Sequence, residues 1–281
     1  MDYIKDYKRI LTIQDISCFG QCSLTVALPI LSACGVEAAI IPSAVLSTHT
    51  GGFTGFTFRD LASDIPKISE HWQKEGISFD AVYTGYLGTT EMIDMVKDIF
   101  AKLIRNDGLK IVDPAMADNG NLYYGFDQEY ANAMTTLCQV ADIVVPNITE
   151  VCFMTGVEYK EKYDESYVEL LLNALEEKGI SNVILTGISY DDKTTGVIVK
   201  TNGKTEYYTH KKIPVSSHGT GDVFASAFSG ALLRGKTEYE SAKIAADYTL
   251  RCIENTLDDE NHRYGVKFET AIPFLVEEIN K

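Results

Sequence analysis

The segment Ser216-Ser-His-Gly-Thr-Gly-Asp-Val-Phe-Ala-Ser-Ala227 holds the residue types best suited to chemistry in this chain. Gly219, Thr220 and Gly221 lead into an apolar run in which Phe224, Ala227, Phe228 and Ala231 recur at helical spacing. Glycines let backbone N–H groups approach a ligand closely, and a helix N-terminus presents unpaired N–H donors with a partial positive charge. Together they predict an anion site suited to charge developing on a phosphoryl group. Asp222 stands at the helix start, where a carboxylate can orient a hydroxyl and take its proton. Phosphoryl transfer is accelerated mainly by positioning and charge neutralisation, so a modest base suffices. The same residues also read as a capped helix with a glycine turn and a dipole-satisfying acid.

A second phosphate motif is rejected. Gly230-Ala-Leu-Leu-Arg-Gly-Lys-Thr237 matches G-x-x-x-x-G-K-[ST], but that loop needs a strand before it and a helix opening at its lysine. Here the preceding residues are helical in period, Gly235 reads as a helix stop, and Thr237 with Glu240 makes a capping box for the next helix. No G-x-G-x-x-G follows the first strand, so a dinucleotide fingerprint is absent too.

The elements that must position these residues alternate. Strands are predicted at Arg9–Gln14, Glu37–Pro42, Asp80–Gly85, Lys110–Asp113, Asp142–Val145 and Asn182–Thr186. Helices are predicted at Ser23–Cys34, Asp60–Glu75, Glu91–Ile104, Gln128–Cys138 and Tyr163–Lys178. Such alternation implies an α/β fold with a mainly parallel sheet and helices on both faces. Thr194–Lys200 and Thr205–Lys211 flank Asn202-Gly203, a hairpin turn, so a small antiparallel element is added late. Helices follow at Asp222–Leu233, Glu238–Ile253 and Phe268–Ile279. No linker or repeat divides the chain, so residues 1–281 read as a single domain. The longest irregular stretches, Leu46–Thr57 and Pro114–Asp127, are candidates for function. Asp15, Thr84–Tyr86, Asp113, Asn147 and Thr186 all fall at or just after predicted strand ends, where open α/β sheets bind ligands.

The 281 residues carry 25 Lys+Arg and 40 Asp+Glu, a net charge of −15, which speaks against a nucleic-acid partner. No run of about 20 apolar residues exists to cross a membrane, and Met1–Arg9 does not resemble a signal peptide. Six scattered cysteines with no C-x-x-C pair read as reduced thiols, not a zinc site, and favour a cytoplasmic location.

Gly219-Thr-Gly-Asp222 resembles the signature of the ribokinase-like small-molecule kinases. Asn147-Ile-Thr-Glu150 is similar to that family's N-x-x-E motif, and Asp113-Pro114 to its Asp-Pro step near the phosphates. Within the family the pattern looks most like the pyridoxal kinases. Ile13-Gln14, Ser47-Thr-His-Thr-Gly51, Thr84-Gly-Tyr-Leu-Gly88, Asp113-Pro114, Pro146-Asn-Ile-Thr-Glu150 and the Gly-Thr-Gly-Asp run carry that likeness in order.

The resemblance implies a ribokinase-like three-layer α/β/α fold. It also implies ATP-dependent phosphorylation of the 5′-hydroxymethyl group of a vitamin B6 vitamer, with Mg2+ as cofactor, K+ as a further candidate ion, and a homodimer. Asp222 would be the base, and Gly219, Thr220 and Gly221 the anion hole. Asp113, Asn147 and Glu150 would lie near magnesium and the ATP phosphates, Glu150 through water, with Thr186 touching the nucleotide. His49, Thr50 and Tyr86 would line the pyridine pocket, Tyr86 stacking on the ring and His49 hydrogen-bonding its phenolic oxygen. Pyridoxal kinases carry Ser-His after the Ile-Gln pair, whereas this chain has Asp15-Ile16. An acid there would pair with a protonated pyridine nitrogen or accept from a substrate hydroxyl. That departure keeps a hydroxymethylpyrimidine or hydroxymethylpyrimidine-phosphate kinase open as the alternative, beside a non-catalytic ligand-binding relative.

Overall fold

Arg9–Ser17 forms strand β1, buried without interruption from Ile10 to Asp15, as a strand covered on both faces requires. The computed structural model describes residues 7–215, 217–259 and 261–281. After β1 come helix α1 (Leu24–Ala33), β2 (Glu37–Leu46), β3 (Phe58–Asp60), α2 (Ile65–Lys74), β4 (Phe79–Thr84), α3 (Thr90–Leu103) and β5 (Ile104–Val112). A loop hairpin of β6 (Ala117–Asp118) and β7 (Asn121–Leu122) precedes α4 (Gln128–Cys138), β8 (Ile143–Val144), α5 (Ile148–Thr155) and α6 (Glu165–Glu177). The chain ends with β9 (Val183–Ile188), β10 (Thr194–Thr201), β11 (Lys204–Lys211), α7 (Thr220–Leu233), α8 (Glu238–Glu254) and α9 (Ile272–Asn280).

Nine strands form one sheet in the order β11-β10-β9-β8-β5-β4-β1-β2-β3. From β9 across to β2 neighbouring strands are parallel, while β10, β11 and β3 are antiparallel to their neighbours. Alternate strand residues feed two cores. Ile13, Val82, Val112 and Leu185 pack under α2–α6, and Ile10, Tyr83, Ile111 and Ile184 under α1, α7, α8 and α9. The result is the expected α/β/α sandwich.

Several boundaries move for physical reasons. β1 runs on to Ser17, three residues past the expected end, and its register with β2 shifts between Gln14 and Ile16. Asp15 therefore sits at a bulge, a device that re-aims a side chain. Opposite the shift lies Pro42, which has no N–H to give to a ladder. The helix expected from Asp60 begins only at Ile65, because Phe58–Asp60 pairs with β2 and Asp60 Oδ1 instead accepts the Ala62 N–H at 2.7 Å. Asn202 and Gly203 take φ of 52° and 75°, as the hairpin requires. The rejected P-loop is a helix end. Gly230 lies inside α7 against Cys34, and Thr237 with Glu240 forms the reciprocal capping box of α8. Among the described residues no helix is long and apolar enough to cross a membrane.

Candidate active site

A cavity of about 680 Å³ opens at the carboxyl ends of the parallel strands. It is lined by all twelve residues singled out in the sequence: Asp15, His49, Thr50, Tyr86, Asp113, Asn147, Glu150, Thr186, Gly219, Thr220, Gly221 and Asp222.

Gly219 opens α7 at φ 74°, and a Cβ at that position would overlap the Gln21 carbonyl oxygen, so both conformation and space demand glycine. No side chain caps this helix, which leaves its first N–H groups facing the cavity. Asp222 stands in the first turn. Burial pushes its pKa up to about 7; the charges of Asp113 and Asp15 add to the rise, and the Ser23 backbone pulls it back. Ser23 is itself unusual, a buried non-glycine residue at φ 54°. Its hydroxyl faces Asp15, which also accepts Ser17 Oγ at 2.9 Å; burial nonetheless raises Asp15.

On the other wall, Asn147 and Glu150 begin α5 with a capping box. Glu150 Oε1 accepts the Met116 N–H at 3.1 Å and Asn147 Nδ2 donates to the Ala117 carbonyl at 2.8 Å, so the box also fixes the loop after β5. Asp113 Oδ1 accepts the Ala115 N–H at 3.0 Å. Burial drives both Asp113 and Glu150 well above the carboxylate range, and the charge of Asp113 adds to the rise of Glu150. Thr186 is joined to this corner by its N–H and hydroxyl, which donate to the Pro146 carbonyl at 2.9 and 3.2 Å.

At the opposite end the half-buried Tyr86 stacks on Phe126 with ring centroids 5.3 Å apart, and burial lifts its phenol to about 12. The His49 ring is buried and both its nitrogens face backbone groups, so it offers the cavity a ring edge, not a free donor. The expectation is that His49 hydrogen-bonds the acceptor's phenolic oxygen; here its ring nitrogens face the Tyr264 carbonyl and the Gly51 N–H.

Sequence reasoning missed the slot formed by Thr195, Val197, His210, Ala246, Thr249 and Ile253. These are ordinary residues on β10, β11 and α8 that only the late hairpin brings beside Thr186. Ser23 also escaped notice, since a positive φ at a serine leaves no mark in the sequence.

Among the described residues no group of three or more His, Cys, Asp or Glu is placed to hold a metal ion. Asp113 still has lone pairs to offer, while both oxygens of Glu150 already accept backbone N–H groups. That set suits a hard cation that keeps its waters and arrives with phosphates, not one caged by protein.

Residues 28–267 match the sequence profile of the phosphomethylpyrimidine kinase family. A crystal structure of a candidate phosphomethylpyrimidine kinase from Bacteroides thetaiotaomicron, in a form with pyridoxal, superposes with a TM-score of 0.90 at 35% identity, covering 96% of each chain. Pyridoxal kinase from Lactobacillus plantarum superposes with a TM-score of 0.88 at 29% identity, covering 97% of this chain and 98% of that one. Pyridoxal kinase from Dictyostelium discoideum is 26% identical over 82% of this chain and 80% of its own length. With a family profile spanning most of its length and a relative above 30% identity over nearly all of it, the chain belongs to the phosphomethylpyrimidine kinase family.

Proposed function

We propose that the protein transfers the γ-phosphoryl group of ATP to the 5′-hydroxymethyl group of pyridoxal, pyridoxine or pyridoxamine. The observation that carries this reading is one cavity uniting the uncapped N-terminus of α7, a carboxylate in its first turn and an aromatic end at Tyr86. The relatives named pyridoxal kinase, and the Bacteroides structure with pyridoxal, support the choice of acceptor.

The acceptor ring lies against Tyr86, with Asp15 and Thr50 within the same pocket. Asp222 orients the hydroxymethyl oxygen and takes its proton as that oxygen attacks the γ-phosphorus in line. The N–H groups of Gly219, Thr220 and Gly221 hold the charge on the phosphoryl oxygens. The triphosphate runs toward Asp113, Asn147 and Thr186, and the base of ATP fills the slot beneath β10 and α8. Asp113, with Glu150 acting through water, would hold Mg2+, which would supply charge neutralisation on the phosphates; K+ is a further candidate ion. We also propose that residues 1–281 act as one kinase domain, in the cytoplasm, as a homodimer. Light scattering, and turnover with and without EDTA and potassium salts, check these points.

The alternative is a hydroxymethylpyrimidine or hydroxymethylpyrimidine-phosphate kinase, favoured by the family profile and by Asp15, a hydrogen-bond acceptor for a ring amino group. Product formation from three B6 vitamers and hydroxymethylpyrimidine decides between them. Turnover of the pyrimidine alone overturns the vitamin reading, and no ATP consumption with any acceptor would leave a non-catalytic relative.

A further inference from the structure

The His49 ring is engaged on both nitrogens. Its Nδ1 accepts the Gly51 N–H at 3.1 Å, and its Nε2 lies 3.0 Å from the Tyr264 carbonyl oxygen. A nitrogen that faces an N–H must accept and one that faces a carbonyl must donate, so the ring is neutral with its hydrogen on Nε2. The same Tyr264 oxygen accepts the Gln21 N–H at 3.0 Å. One carbonyl, from the segment between α8 and α9, thus ties the loop after β2 to the loop after β1. The His49 backbone N–H donates to the Phe19 carbonyl at 3.3 Å.

Packing follows the same pattern. A Cβ on Gly20 would overlap the His49 ring, and one on Gly51 would come within 2.6 Å of His218 Nδ1. The His49 ring centroid lies 5.0 Å from that of Phe53 and 5.3 Å from that of His218, the residue before Gly219. The side chain is 5% exposed.

We propose that His49 is a positioning residue, a latch that holds the loop after β2 shut against Gly20, Tyr264 and the turn before α7, and is not a hydrogen-bonding ligand of the acceptor. The proposal rests on the reading of this site as an acceptor kinase and refines it. Polar recognition of the acceptor falls to Asp15, Thr50 and Tyr86, while His49 keeps water from the γ-phosphate.

His49→Phe keeps a ring of similar size and removes both nitrogen contacts; His49→Gln retains an amide donor able to reach the Tyr264 carbonyl. The latch predicts that His49→Phe raises KM for pyridoxine about tenfold, the loss of one to two hydrogen bonds. It predicts an equal penalty for 3-deoxypyridoxine, faster ATP hydrolysis without acceptor, and partial rescue by His49→Gln. A penalty that vanishes with the 3-deoxy analogue would make His49 a ligand of the phenol and overturn the proposal. Amide exchange at Gly51 and Gln21 in the substrate-free protein gives an independent reading. Exchange in His49→Phe should quicken; unchanged exchange overturns the latch, whereas failure of the wild type to use any vitamer overturns only the function.

Discussion

Asn147 and Glu150 cap one helix with each other. Asn147 Oδ1 accepts the Glu150 N–H at 2.9 Å while Glu150 Oε2 accepts the Asn147 N–H at 2.8 Å. Because the pair also binds Met116 and Ala117, a helix cap and the wall of the cavity, where we place the triphosphate, are one structure. Asn147→Ala should cost about 1 kcal/mol, the worth of a lost cap, and lower the melting temperature by about 2 °C. It should also raise KM for ATP while leaving KM for the acceptor nearly unchanged. Steady-state kinetics with each substrate varied in turn checks this, and equal effects on both would separate the cap from the channel.

The role of base proposed for Asp222 comes with an electrostatic cost. Its pKa near 7 predicts that kcat/KM rises with pH through about 7 and levels off above, as the carboxylate form accumulates. Asp222→Asn should lower kcat by roughly 10²–10⁴ with an unchanged circular dichroism spectrum. A residual rate near that of wild type would remove Asp222 as the base.

The same shift has a signature in stability. Folding raises the Asp222 carboxyl above its ordinary 3.8, so its contribution is complete below about pH 4 and is lost as pH rises through about 7. The ligand-free wild type should lose melting temperature over that window more steeply than Asp222→Asn does. Parallel melting curves for the two proteins would contradict the buried-acid picture.

The two glycines of the turn separate geometry from catalysis. Gly219→Ala meets both a positive φ and the Gln21 carbonyl, so it should destabilise the protein and abolish activity together. At Gly221 a Cβ would enter open space and φ is not positive, so Gly221→Ala should fold normally. Its methyl would intrude on the proposed anion hole, and kcat should fall with melting temperature unchanged. Normal turnover in Gly221→Ala would place the anion elsewhere.

Lys236 is the lysine of the rejected P-loop match, at the end of α7 and outside the cavity. Lys236→Ala should leave kcat and KM for ATP within about twofold of wild type, the range of an ordinary surface change. A large rise in KM for ATP would reinstate the motif.

The strands and the long helices were legible because each has its own period or apolar run: Gln128–Cys138 starts and stops where its pattern does. The site was legible as far as it uses marked residue types, an acid at a helix start or after a strand, or a glycine pair. What remained hidden depends on partners distant in sequence. The bulge at Asp15 needs Pro42 opposite it, the strand at Phe58–Asp60 needs the edge of β2, and the nitrogens of His49 are spoken for by Tyr264 and Gly51. His210 carried no local signal and lines the cavity only because β11 folds back along β10.

Gly230 lets the back of α7 rest directly on Cys34 of the first helical layer. The helix that carries Asp222 therefore takes its seat from a part of the polypeptide made long before it. During translation the apolar face that α1 shares with α7 therefore stays bare until this late helix emerges, and the core on that side of the sheet closes last.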